Sequence, residues 1–111
     1  MSKQEAIDKH LRTLIRVCVE ECVEYLCEEV KKSGRGGEFK TADIERIFAE
    51  RYPGIWAQAM LRYGKEGRYT IRNYIGSVLN NMAQGGLIQR IREDPAPADW
   101  GSPRIVVWRC V

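Results

Sequence analysis

From about Gln4 to Lys32, the residues Ile7, Leu11, Leu14, Ile15, Cys18, Cys22, Tyr25, Leu26 and Val30 recur at steps of three and four. Apolar side chains at that spacing line one side of an α-helix. The pattern is long for a helix in a globular protein, and a chain of 111 residues has room for one domain around it. In its second half Val19, Val23 and Val30 widen the apolar arc to about half the circumference, at roughly 100° per residue. A helix that apolar packs against more than one neighbour. Ser33-Gly34-Arg35-Gly36-Gly37 then breaks it.

The remainder alternates short elements with turn residues. Glu38-Phe39-Lys40 reads as a short extended stretch, and Thr41 as the N-cap of a second helix with Asp43 in its first turn. Ile44, Ile47 and Phe48 form that helix's buried face, and Pro53-Gly54 ends it. Residues 55–63 read as a further short helix with Trp56, Ala59, Met60 and Tyr63 turned inward, followed by a loop over 64–67. Thr70 is expected to cap the next helix, whose apolar stripe is Ile71, Tyr74, Ile75, Val78, Leu79 and Met82. Gly85-Gly86 stops it, as a left-handed C-terminal position prefers. Residues 87–92 and 104–111 read as strands, and the Pro- and Asp-containing stretch 94–103 makes them a hairpin with a long loop. The fold class is therefore α+β and mostly helical.

Net charge is only +3, but its distribution is uneven. Residues 1–30 hold 4 bases and 7 acids, whereas residues 60–111 hold 8 bases and 4 acids. Between Glu66 and Glu93 no acid occurs, while Arg68, Arg72, Arg90 and Arg92 all fall in that interval. Within it, the solvent side of the helix over 70–84 is built from Asn, Ser, Gly and Gln where Lys and Glu are usual.

No apolar run approaches the roughly 20 residues that span a bilayer, and the N-terminal stretch has no secretory pattern. A cytoplasmic protein without a membrane segment is expected. Of the cysteines, Cys18, Cys22 and Cys27 lie in one helical pattern and Cys110 near the end, without the paired spacing of a zinc site. Cys18 and Cys22 read as small buried hydrophobes, neither catalytic nor metal-binding. A bond from Cys110 to the first helix is left open, and would be unusual in a cytosol outside hyperthermophiles. The single histidine, His10, leaves little acid–base chemistry near neutral pH, so neither an enzyme nor a cofactor is expected.

The segment Val78-Leu79-Asn80-Asn81-Met82-Ala83-Gln84-Gly85-Gly86-Leu87-Ile88, set in this order of elements, resembles the winged helix-turn-helix DNA-binding family of small prokaryotic, archaeal or viral transcriptional regulators. The resemblance covers residues 38–111 well and the first helix loosely. It implies a single winged-helix domain over 1–111: a long N-terminal helix at 1–32, a body at 38–111 and a wing loop at 94–103. It further implies that the helix over 70–84 enters the major groove of double-stranded DNA while the wing, 87–111, meets the backbone or minor groove.

Carried onto this sequence, the groove-facing residues are Arg72, Asn73, Gly76, Ser77 and Asn80, with Gln84 at the far end. Asn and Gln pair with adenine edges, Arg with guanine, and Ser with a base or a phosphate. Lys65, Arg68 and Thr70 stand at the helix N-terminus, a natural phosphate site. Arg90, Arg92 and Arg104 lie on the wing strands. Trp100 is expected to fold back over its own loop, and Trp108 to be core. The inserted segment 55–63 and the scarcity of Lys and Arg on the helix depart from the family pattern. A winged-helix protein–protein interaction module is accordingly the alternative function. Finally, Ile7, Leu11, Leu14 and Ile15 would form an exposed stripe if the domain used only the later part of its first helix, so a homodimer paired through that helix is expected.

Overall fold

A computed structural model describes residues 3–34, 37–63, 67–98 and 100–111, with the side chains of 4–8 and 67–70 outside that description. The elements in chain order are α1 (Lys3–Ser33), β1 (Glu38–Lys40), α2 (Thr41–Arg51), α3 (Pro53–Tyr63), α4 (Gly67–Gln84), β2 (Ile88–Pro95) and β3 (Arg104–Cys110). The three strands form one antiparallel sheet in the order β1-β3-β2. Among the described residues, no helix is long and apolar enough to cross a membrane.

The long apolar pattern does become one helix, and its 31 residues set the 46 Å long axis of the molecule. Its buried side chains, Leu11, Ile15, Cys18, Val19, Cys22 and Val23, join a core shared with Ile44 and Phe48 of α2, Ala59 of α3 and Ile71, Ile75 and Leu79 of α4. Leu11 and Ile15 are 5% and 0% exposed within this single chain. Of the stripe on which self-association was expected, Leu11 and Ile15 are covered within the chain, where α4 packs on α1, and Leu14 is half-buried. Ile7 falls among the side chains outside the description.

Several boundaries differ from expectation for local reasons. Lys40, not Thr41, caps α2: its backbone N–H donates to Asp43 Oδ2 at 2.8 Å, the carboxylate half of a capping box. Thr41 is drawn inside instead, where its hydroxyl accepts the indole N–H of Trp108 at 3.0 Å. That bond satisfies the one polar group of a tryptophan only 1% exposed. Pro53 does not merely end α2. It opens α3, since the first position of a helix needs no N–H. Helix α4 starts at Gly67, so Thr70 lies within its first turn and is not its cap.

The end of α4 follows the sequence closely. Gly86 has φ +77, Leu87 N–H donates to the Met82 carbonyl at 3.0 Å, and Gly86 N–H donates to that of Ala83 at 3.1 Å. These two bonds are the Schellman closure of a helix. The chain leaves them directly into β2, which pairs with β3 through a bulge between Arg90 and Arg92. At the far end of β3, Cys110 is joined to Cys27 of α1 by a disulfide, across a sequence separation of 83. Cys18 and Cys22 remain free and buried. Burial, then the proximity of Cys18, pushes the Cys22 thiol up to about 12, so it stays protonated and unreactive in neutral solution.

Candidate nucleic-acid interface

Burial of Ile71, Ile75, Val78, Leu79 and Met82 fixes the rotation of α4 and turns the opposite side outward. Asn73, Ser77, Asn80, Asn81 and Gln84 are exposed along that crest, with Gly76 beside them. None is charged. A Cβ built on Gly76 would meet nothing within 4 Å, so this glycine leaves open space on the crest.

Two grooves flank the crest. On one side Ser77 and Asn81 face Lys9, Arg12 and Arg16 of α1 across a cleft of about 280 Å³ floored by Ile15 and Val78. On the other, Asn73 and Gly76 face Ser102 and Arg104 of the hairpin, with Trp100 and Ile105 between them, around about 260 Å³. No carboxylate among the described residues lines either groove. Among the described acids, Glu45 lies in the cleft between α2 and the hairpin loop, and Glu38 and Asp43 at the sheet edge.

Arg72 is not part of the crest. Its side chain is 10% exposed and its Nε donates to Glu45 Oε2 at 2.7 Å, against a Glu45 side chain only 7% exposed. The guanidinium also lies 4.3 Å from the centre of the Trp100 ring and donates to the Trp100 carbonyl. Trp100 thus folds back and locks the hairpin loop onto α2 and α4. Where the sequence suggested a base-reading Arg72, the structure engages its Nε with Glu45 and one terminal nitrogen with the Trp100 carbonyl.

The wing arginines are likewise engaged. Arg92 donates through both terminal nitrogens to Glu38 at 3.1 and 3.2 Å, and through Nε to Asp94 at 2.9 Å. Arg109 adds a third bond to Glu38 at 3.2 Å. Hydrogen bonds from Arg92, then Arg109, hold the Glu38 carboxyl below its ordinary range, and the bonds that Arg92 donates to Glu38, then Asp94, raise its own pKa. Arg90 donates to Glu93 at 3.0 Å. Two of the arginines expected to track phosphate therefore face carboxylates: Arg90 meets Glu93 of its own strand, and the sheet brings Glu38 of β1 to Arg92. Arg104 stays exposed in the wing-side groove. Lys65, and the side chains of Arg68 and Thr70, lie outside the described residues.

What sequence reading missed is the α1 ridge. Lys9, Arg12 and Arg16 follow one another at steps of three and four, which places them on one side of a helix. That signal was present, but nothing in the sequence said that α4 would lie alongside. Among the described residues, no cluster of His, Cys, Asp and Glu could hold a metal ion.

No protein-family profile, no curated protein and no solved structure matches this chain.

Proposed function

We propose that the protein binds double-stranded DNA by sequence, with α4 in the major groove and the β2–β3 hairpin beside the backbone, and so serves as a small transcriptional regulator. The observation that carries this reading is the crest of α4: exposed amide and hydroxyl side chains without a charge, between two grooves that contain cations and no described carboxylate. Amide side chains offer a donor and an acceptor together, the pattern an adenine edge requires. A phosphate-lined surface repels carboxylates and favours flanking cations. The element order, with a short strand before α2 and a sheet ordered β1-β3-β2, supports a winged helix-turn-helix arrangement with α3 as an insertion. A protein-interaction use of the same face would call for aromatic anchors. Among the described residues the crest has none, and Trp100 is committed to Arg72.

The test is selection of duplexes from a random pool, followed by titration of the preferred and scrambled sites with wild type and Asn80→Ala. Removing one paired set of hydrogen bonds to a base should weaken the preferred site by about 1–3 kcal/mol and leave scrambled DNA nearly unchanged. Absence of duplex binding at low salt, or an unaltered preference in Asn80→Ala, would overturn the assignment.

A further inference from the structure

We infer that the Lys9–Arg12–Arg16 ridge of α1 is a phosphodiester-backbone site, and that it, with Arg104 across the crest, takes the anchoring role expected of Arg90 and Arg92. The inference rests on the proposed function and names the residues that would meet its phosphates. The ridge borders the same groove as Ser77 and Asn81, so a duplex seated on the crest brings one strand's backbone alongside it. All three side chains are exposed. The side chains of Lys9 and Arg16 have no hydrogen bond or ion pair among the described residues, in contrast to those of Arg90 and Arg92. Those two cations can meet a phosphate without giving up a partner, whereas Arg92 would first have to leave Glu38 and Asp94.

The spacing suits a nucleic-acid strand. From Lys9 to Arg16 the helix rises about 10 Å, at roughly 1.5 Å per residue. One DNA strand presents a phosphate every 3.4 Å or so of axis, so about three fall opposite the ridge. Arg104 stands on the other side of the crest, where the second strand bordering a major groove would run.

The experiment compares the salt dependence of duplex binding for wild type, Lys9→Ala/Arg16→Ala and Lys31→Ala/Lys32→Ala, with thermal melts to establish that each is folded. The last pair lies at the opposite end of α1 and removes the same net charge. With two fewer phosphates neutralised, the slope of log K against log salt should flatten by about 1.8 in the Lys9/Arg16 variant. Between 50 and 200 mM salt its affinity should then fall about 12-fold less than that of wild type. The weakening should be similar on preferred and scrambled duplexes, and the Lys31/Lys32 variant should keep the wild-type slope. If the two variants have the same slope, the ridge is not a backbone site; an Asn80→Ala effect that persists in that case leaves the proposed function standing. If wild type binds no duplex at all, both readings fall together.

Discussion

Arg72 and Glu45 are the ionic pair whose removal the fold should feel most. Both side chains are nearly out of water, and the guanidinium is held on a second side by the Trp100 ring. Removing one member of a buried pair takes a counterion from the charge that remains, which destabilises a protein by about 3 kcal/mol or more. Arg72→Ala is therefore expected to shift the urea midpoint sharply, while Asn73→Ala, one position along on the exposed crest, stays within about 0.5 kcal/mol of wild type. Arg72→Lys should recover little, because an ammonium cannot stack on Trp100 and reach Glu45 with a planar fork. Equal urea midpoints for Arg72→Ala and wild type would show that the pair contributes nothing. Exposed pairs such as Arg46–Glu50, with side chains 58% and 64% exposed, belong to another regime, in which water competes for both charges.

At the scale of elements, the junction between α4 and β2 sets how the crest and the hairpin are aimed relative to each other. It depends on Gly86, whose φ of +77 lies in the region that L side chains avoid. A Cβ there would meet nothing within 4 Å, so the penalty is purely one of backbone conformation. Gly86→Ala should lower the unfolding free energy by about 1 kcal/mol. Urea unfolding measures this, and Gly85→Ala is the natural comparison because Gly85 is not left-handed. A Gly86→Ala protein as stable as wild type would mean that the helix ends by another closure in solution. The bulge between Arg90 and Arg92 acts on the same hairpin, adding a residue to β2 opposite β3.

For the whole molecule the Cys27–Cys110 bond is the longest covalent constraint, tying the last strand to the first helix across 83 residues of separation. Such a closure restricts the unfolded chain, and bonds of this kind contribute about 2–4 kcal/mol. Reduction, or Cys110→Ser, should lower Tm by about 10–20 °C in a domain of this size. A scan in the presence and absence of dithiothreitol reads the difference directly, and an unchanged Tm would show that the bond does not form or does not constrain folding. Disulfides persist in oxidising compartments, and inside cells chiefly in hyperthermophiles. The bond also bears on the proposed DNA face, because β3 carries Arg104 at its other end.

The helices, the hairpin and the outward face of α4 were legible in the sequence, because each is written in residues only a few positions apart. Ile71, Ile75, Val78 and Met82 choose the buried side of α4 by their spacing, and Asn73, Ser77 and Asn80 are left outside by the same arithmetic. The Gly-Gly stop is equally local. The fate of each cation was not. The acid-free interval from Gly67 to Arg92 was a property of chain order, and folding filled parts of it with carboxylates from elsewhere: Glu45, 27 positions from Arg72, and Glu38, 54 positions from Arg92. The same packing laid α1 along α4, covering Leu11 and Ile15 and bringing Lys9 and Arg16 to the edge of the crest. Sequence spacing governs which side of a helix is buried. A charge, by contrast, acts through distances in space, and those are set only when the elements pack.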